Sequence, residues 1–420
     1  MTTIAPFKAL RPRPELAKQV ASRPYDVLNS REAKEEAAGN SYSFLHITKS
    51  EIDLPESVDS HSQEVYDKAK ENLAAFMQRD ILFRESKSCY YIYQLVMNGK
   101  SQTGLVCTSS VDDYENNLIK KHEFTRPEKE MDRINHILNS GAQTGNVFLA
   151  YRNLDELDEI IEGWKSTHDP VYNFVAADDI THTIWIINND EKISAITSLF
   201  AEKIPSTYIA DGHHRAASAA KVREYKKEAT AVGGKQGAGT DTNADFFLTT
   251  LFPSNQLYIM DYNRVVKDLY GFSKEDFIAR LEEKFEIVPQ SSSVAPANLH
   301  DFGMYLDGSW YQLTARPGTY NEDPIGILDV TILSQNILDP LLGIKDQRTD
   351  TRIDFVGGIR GLNELVKRVD NGEMAVAFSL HPVTIQQLFD IADSGQVMPP
   401  KSTWFEPKLR DGLLTHLISA

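Results

Sequence analysis

The stretch YIADGHHRAAS, residues 208–218, decides how the middle of this chain folds. An apolar run ends at an acid and a glycine, and two histidines and an arginine then precede an alanine-rich segment. These propensities predict a strand that turns directly into a helix. The first N–H groups of a helix have no partner within it and its dipole is positive there, so the junction favours an anion.

Each residue type at this junction suits a phosphate site. Gly212 permits a close backbone approach or a positive φ. His213 and His214 can donate hydrogen bonds, and Arg215 presents a planar fork to phosphate oxygens. Asp211 would cap the helix, hold a histidine tautomer or bind a metal ion. A capped helix start with solvated histidines is the alternative, and a zinc site is the least favoured because zinc-ligand spacings are absent.

A second cluster of charged residues lies in KKHEFTRPEKEMDR, residues 120–133. Lys121 and Arg126 are cations that could assist at an anion site. His122 and Glu123 are candidate acid–base groups. The zinc-protease pattern H-E-x-x-H fails here because its fifth position is Arg126. A helix surface crossed by salt bridges is the alternative reading of this segment.

A third cluster lies in GWKSTHDPVYNF, residues 163–174, which we interpret as a loop. Lys165, Ser166 and His168 would either contact a polar substrate or form a turn before Pro170. The glycine-rich segment 233–240 lacks the Gly-Lys-Ser/Thr order of a P-loop and is predicted to be a mobile loop. No G-x-G-x-x-G or G-x-S-x-G pattern supports a dinucleotide site or a serine hydrolase.

Composition narrows the function classes. The chain has 420 residues, a net charge of −16 and a pI near 5.2, which disfavours binding to nucleic acid or to anionic lipid. It has only two cysteines, and no apolar stretch is long enough to cross a membrane. We therefore expect a soluble, cytoplasmic protein with a small-molecule substrate. The sequence does not fix its oligomeric state.

Alternating apolar patterns and helix signals predict an α+β protein. Residues 43–48 read as a strand, 61–79 as an amphipathic helix, and Asn98-Gly99 as the turn of a β-hairpin. The segment from Val111 is predicted to be a helix up to about His122, followed by a break. A second helix is predicted from Pro127, with Thr125 as its N-cap and a stop at Gly141. We expect an N-terminal domain over residues 1–270 that carries the Asp-Gly-His-His-Arg site, and a C-terminal α/β domain over 271–420.

Several segments together resemble domain-of-unknown-function family 1015, nearly end to end. They are PFKALRP at the start, KHEFTRP at 121–127, YIADGHHRAAS, LYIMDYNRVV at 257–266, IDFVGG at 353–358 and MPPKSTWFEPK at 398–408. The histidine segment is also similar to the ParB/sulfiredoxin-like superfamily, whose members hold nucleotide phosphates at such a turn. Within that superfamily it looks most like free-serine kinase.

The resemblance implies a ParB/sulfiredoxin-like mixed core with an added C-terminal α/β domain, which would help complete the active site. It implies phosphoryl transfer from ATP, ADP or pyrophosphate to a small hydroxyl acceptor such as serine. Asp211 would then bind Mg²⁺ and Glu123 would act as the base. A phosphatase acting on phosphoserine and a non-catalytic nucleotide-binding module are the two alternatives.

Overall fold

A computed structural model of the protein describes residues 1–232 and 242–418. The predicted glycine-rich loop at 233–240 lies outside the described residues. The chain divides into two compact units: the first holds Met1–Lys121, Thr125–Leu257 and Pro407–Ala420, and the second holds His122–Phe124 and Tyr258–Glu406. The domain boundary at residue 270 stays a prediction from the sequence. No helix in the described part of the chain is long and apolar enough to span a membrane.

Helices occur in both units, so the architecture is a mixture of helices and sheets. Those of the first unit are α1 Ala17–Val20, α2 Ser30–Ala37, α3 Leu45–Thr48, α4 Gln63–Gln78, α5 Val111–Glu115, α6 Pro127–Ser140, α7 Asp155–Thr167, α8 Asp190–Lys203 and α9 His213–Val232. Those of the second are α10 Lys274–Leu281, α11 Asp329–Leu333, α12 Leu362–Asp370 and α13 Ile385–Ser394. A π-helical turn, Ser334–Leu338, follows α11, and short 3₁₀ turns include Tyr25–Val27 and Gly358–Arg360.

The strands of the first unit form one large mixed sheet and two small pairs. They are β1 Ile4–Ala5, β2 Leu10–Pro12, β3 Leu82–Arg84, β4 Tyr90–Met97, β5 Lys100–Ser110, β6 Ile119–Lys120, β7 Ala142–Gln143, β8 Val147–Tyr151, β9 Tyr172–Val175, β10 Thr181–Ile187, β11 Thr207–Asp211, β12 Phe246–Pro253 and β21 His416–Leu417. The large sheet runs β6-β11-β8-β12-β5-β4-β10-β9, with β1 beside β5. Strand β11 is parallel to β6 and antiparallel to β8, while β12 is parallel to β8.

The second unit has its own sheet, in the order β15-β17-β16-β19-β14-β18. Its strands are β13 Ile259–Met260, β14 Tyr262–Val266, β15 Phe285–Gln290, β16 Asp301–Leu306, β17 Ser309–Ala315, β18 Ile353–Gly357, β19 Val376–Leu380 and β20 Trp404–Phe405. Strands β13 and β20 pair separately. The mixture of sheets and helices in both units makes the fold α+β, as the sequence predicted.

Alanine explains why α9 lies close against the large sheet. Ala216, Ala219 and Ala220 belong to the same buried cluster as Leu149 of β8 and Ile209 of β11. Their short side chains let the helix backbone approach the strands, while the cluster removes apolar surface from water. This packing fixes the start of α9 at the end of β11.

Local sequence signals account for several boundaries. Asn98 and Gly99 have φ of +51° and +75°, the positive values that a two-residue hairpin turn requires between β4 and β5. Gly141 ends α6 in the left-handed conformation, as predicted, with φ of +69°. The N-cap of α6 is Arg126, one residue later than the predicted Thr125.

Three predicted segments were wrong. Residues 45–48 form α3 rather than a strand, because a short apolar run carries no period that separates the two. The helix expected up to His122 stops at Glu115, and the chain enters β6 instead. Residues 165–167 are the last turn of α7 rather than a loop.

Candidate functional site

The predicted strand-to-helix turn is present between β11 and α9. The register of β11 against β8 shifts between Ile209 and Asp211, so the strand ends in a bulge. A bulge bends the strand and re-aims the side chain beside it. Gly212 then takes a φ of +97°, which residues with a side chain rarely adopt, and α9 begins at His213.

Asp211 forms an ion pair with a lysine from the far end of the chain. Its Oδ2 lies 3.1 Å from Nζ of Lys408 and 3.6 Å from Nη2 of Arg215. Burial acts to raise the pKa of Asp211, but the positive charges of Lys408 and Arg215 outweigh it and hold this pKa well below its usual range. Asp211 is therefore a carboxylate at neutral pH.

Arg215 lies beneath the turn and is buried. Its Nη1 donates to the carbonyl oxygen of Asn146, and its Nη2 lies 3.1 Å from Oδ2 of Asp26. A Cβ on Gly212 would lie 3.2 Å from the guanidinium carbon, so the absent side chain makes room for this group. Burial acts to lower the pKa of Arg215, but Asp26 and Asp211 outweigh it and raise this pKa. These contacts make Arg215 a support of the turn.

The segment that carries Lys408 is anchored by contacts of Arg410 and Asp411. Arg410 Nε donates to Nε2 of His182 at 3.3 Å, and Arg410 also pairs with Asp178. The backbones of Asp411 and Ser22 then exchange hydrogen bonds of 3.0 and 3.2 Å. This anchoring holds Lys408 in place beside Asp211.

The carboxyl group of Asp411 is buried in the same cluster. Its Oδ2 has no hydrogen-bond partner, and burial raises the pKa of Asp411 to about 8, although the charge of Arg215 opposes the shift. At neutral pH Asp411 therefore carries a proton. The carboxylate of Asp211 then lies beside two cations, Arg215 and Lys408, and Asp26 contacts Arg215.

The two histidines have different surroundings. His213 is buried, whereas His214 is partly exposed. The backbone N–H of Arg126 donates to Nε2 of His214 at 3.0 Å, so this nitrogen is an acceptor. The structure therefore brings together the start of α6 and the start of α9.

The other residues of the second sequence cluster divide between the two units. Lys121 Nζ lies 3.9 Å from the centre of the Tyr114 ring, and burial lowers the pKa of Lys121. His122 and Glu123 belong to the second unit. There the carbonyl oxygen of His122 accepts from the N–H of Met398 at 2.8 Å.

The residues of the third cluster make local contacts at the end of α7. Lys165 Nζ lies 2.7 Å from Oε1 of Glu162, and the Ser166 hydroxyl donates to the carbonyl oxygen of Gly163 at 2.9 Å. The His168 ring stacks on Trp164 with 3.7 Å between ring centres. None of these contacts links the cluster to the turn at Gly212.

A magnesium ion would depend on few protein ligands here. Among residues 1–232 and 242–418, no three His, Cys, Asp or Glu side chains are grouped as a metal site. Mg²⁺ commonly uses one or two carboxylates together with water and substrate phosphates. Asp211 and Asp26, both partly exposed and both beside Arg215, fit that donor set.

Sequence reasoning missed three members of this cluster: Asp26, Lys408 and Asp411. One signal pointed to Lys408, since it is the last residue of the MPPKSTWFEPK segment. No sequence signal pointed to Asp26 or Asp411.

Comparison with known proteins gives the family. A family model described as "Protein of unknown function (DUF1015)" matches residues 4–331. The chain belongs to this family. The family resemblance seen in the sequence is confirmed across residues 4–331. No curated protein matches the chain.

The solved structures that match this chain are only weakly similar to it. Free serine kinase in complex with AMP is 12% identical, covers 74% of this chain and 91% of its own, and has a TM-score of 0.36. A conserved hypothetical protein from Pyrococcus furiosus is 15% identical, with coverages of 75% and 95% and a TM-score of 0.35. C-terminally truncated SbnI from Staphylococcus aureus is 11% identical, with coverages of 74% and 87% and a TM-score of 0.37. At these scores the likeness carries no argument about activity.

Proposed function

We propose that the turn at residues 211–215 is a phosphoryl-transfer centre for a small hydroxyl metabolite. The observation that carries the proposal is the ion pair between Asp211 and Lys408 at the N-terminus of α9. It places a hard oxygen ligand, a cation and the positive end of a helix dipole together, and each of these stabilises phosphate charge or its metal ion.

Phosphoryl transfer needs positioning and charge stabilisation more than covalent chemistry. The bond from the phosphorus to the donor's leaving oxygen breaks, and a bond to the acceptor oxygen forms. The hydroxyl proton of the acceptor goes to a carboxylate, for which Glu123 remains our candidate base. Lys408 would offset the negative charge on the transferring group, and His213 and His214 would orient it.

Mg²⁺ would be held by Asp211, with Asp26 as a second carboxylate, and would neutralise phosphate oxygens. Arg215 keeps these two carboxylates in place from below. On the basis of the sequence, we also propose that Lys121 and Arg126 contact the phosphate. We assign substrate contacts to His122, Lys165, Ser166 and His168 on the same basis.

The sequence resemblance to free-serine kinase selects the reactants to test. ATP, ADP and pyrophosphate are the candidate donors, and serine is the first acceptor. The ParB/sulfiredoxin-like core and a cytoplasmic location belong to the same proposal.

Phosphorus NMR of the purified full-length protein tests the reaction. Serine with Mg²⁺ and each donor in turn should produce a phosphoserine signal, and phosphoserine alone reports the phosphatase direction. Lys408→Met and His214→Ala should each reduce the rate at least tenfold. Lys221→Met is the matched control, because Lys221 lies on α9 with half of its side chain exposed.

Three outcomes would count against the proposal. If no phosphorus signal changes in any mixture, the chain is not a phosphotransferase or a phosphatase for these compounds. If nucleotide binds without turnover, the non-catalytic module is correct instead. If Lys408→Met and His214→Ala both keep full activity, the reaction takes place at another site.

A further inference from the structure

The second unit contains a cavity of about 440 Å³ whose lining includes Glu123, the candidate base of the proposed reaction. Small-molecule sites generally have volumes of about 300 to 1,000 Å³. Its wall combines apolar side chains such as Met398 with polar side chains from two segments. Thr331 of α11 and Ser334 of the π-helical turn that follows it belong to one, and Gln347 to the other. A π-helical turn is itself frequent at functional sites.

Two buried polar atoms on this wall have no hydrogen-bond partner. They are Oγ1 of Thr331, a residue 3% exposed, and Oε1 of Gln347, a residue 6% exposed. Most buried polar atoms in folded proteins are hydrogen-bonded, because an unpaired one loses its interactions with water. A ligand in the cavity would restore the bonds that these two atoms lack.

The contacts of Gln347 define what it offers to a ligand. Its Nε2 donates to the hydroxyl of Ser334 at 3.2 Å, so the amide nitrogen is engaged and the carbonyl oxygen Oε1 remains as an acceptor. An acceptor of this kind requires an N–H or O–H group on the ligand. The Thr331 hydroxyl can donate or accept.

Charge at the same cavity selects a second feature of the ligand. Lys345 and Arg348 line it together with Glu123 and Asp346. Arg348 is held by Asp346 through two contacts of 2.9 and 2.8 Å, whereas Lys345 is exposed and adds a positive charge. An ammonium group favours a carboxylate or another small anion. The ligand should therefore carry a hydrogen-bond donor for Gln347 and an anion for Lys345.

We propose that this cavity binds a small carboxylic acid with an ammonium or hydroxyl group next to its carboxylate. The carboxylate lies toward Lys345, and the ammonium or hydroxyl group donates to Oε1 of Gln347. The Thr331 hydroxyl bonds to the remaining polar atoms. Binding here does not depend on phosphoryl transfer, because it needs no phosphate donor.

Isothermal titration calorimetry of the full-length protein tests this site without nucleotide or metal. L-Serine and D-glycerate are the probes for the ammonium and hydroxyl forms, and acetate and inorganic phosphate are the comparisons. Saturable binding of L-serine, D-glycerate or both, at least tenfold tighter than acetate and phosphate, is the expected result. The relative affinities of the two probes identify which donor the site prefers.

Variants connect any binding to this cavity. Lys345→Gln and Thr331→Val should each weaken binding at least tenfold, and Lys367→Gln, at a lysine side chain 72% exposed on α12, should change it less than twofold. Lys345 is exposed, so its variant should fold even if Thr331→Val does not. The proposal is overturned if neither probe binds, if phosphate binds as tightly, or if Lys345→Gln binds like the unmodified protein.

Discussion

Lys408 and Asp211 are 197 residues apart in the sequence, yet their charged atoms lie 3.1 Å apart. Lys408 is the last residue of the MPPKSTWFEPK segment, and Asp211 lies in YIADGHHRAAS. The pair lies at a bulged strand end and at the start of a 20-residue helix. The chemistry of the turn therefore depends on a residue that the turn's own sequence does not contain.

Replacing Lys408 with methionine should lower phosphoryl transfer by about 10²-fold or more, the range seen when one charge-stabilising group is removed. Methionine keeps most of the side-chain length and removes only the charge. The pKa of Asp211 should rise at the same time, because one of its two cations is lost. Steady-state rates and an NMR titration of the Asp211 carboxyl measure the two effects. A lower rate with no change in the Asp211 titration would contradict this account.

Arg215→Met should lower the free energy of unfolding by about 3 kcal/mol, because it removes a buried guanidinium that pairs with two partly exposed carboxylates and donates to a buried carbonyl oxygen. Asp26 and the carbonyl oxygen of Asn146 would lose their donor. Urea denaturation measures the change. Arg13→Met is the control: Arg13 also pairs with an aspartate but is 44% exposed, and its loss should cost less than about 1 kcal/mol. If Arg215→Met and Arg13→Met lower the free energy of unfolding equally, Arg215 does not support the turn.

Gly212→Ala should lower the free energy of unfolding by about 1–3 kcal/mol. Alanine would be strained at a φ of +97°, and its Cβ would lie 3.2 Å from the Arg215 guanidinium. Gly163→Ala is the opposite case. Gly163 lies within α7, and a Cβ added there would have no other atom within 4 Å. Alanine should therefore raise the free energy of unfolding by about 0.5–1 kcal/mol. Chemical denaturation of both variants checks the signs. A neutral Gly212→Ala would mean that the turn does not require a positive φ.

Features that depend on neighbouring residues were predictable from the sequence. The turn from β11 into α9, the Asn98-Gly99 hairpin and the end of α6 at Gly141 are set by residues a few positions apart. Their propensities for turns, caps and strands act before any tertiary contact forms. The same locality made the choice between strand and helix at residues 45–48 uncertain, since four residues contain too little of either period.

Features that depend on distant residues were not predictable. Asp26 and Lys408 reach Arg215 and Asp211 through tertiary packing, and no sequence spacing encodes those contacts. The β11 bulge depends on the register with β8, which the sequence of β11 alone does not specify. The sequence suggested Glu123 as a base, and this role stays a prediction.

The buried carboxyl group of Asp411 should make stability depend on pH. Its pKa is raised to about 8 in the folded protein, whereas an unfolded aspartate has a pKa near 3.9. Between these values the folded state retains a proton that the unfolded state has lost. The stabilisation from this proton is complete below about pH 4 and is lost as pH rises through about 8.

Asp411→Asn removes that proton linkage while keeping the shape of the side chain. The free energy of unfolding of the variant, measured relative to the unmodified protein, should therefore increase by about 2.6 kcal/mol between pH 5 and pH 7. Urea denaturation at half-unit pH steps measures it, with Asp169→Asn at an exposed position as the control. If the Asp411→Asn and unmodified curves run parallel across this range, Asp411 is ionised in the folded protein. The charge balance of the cluster would then contain a third carboxylate.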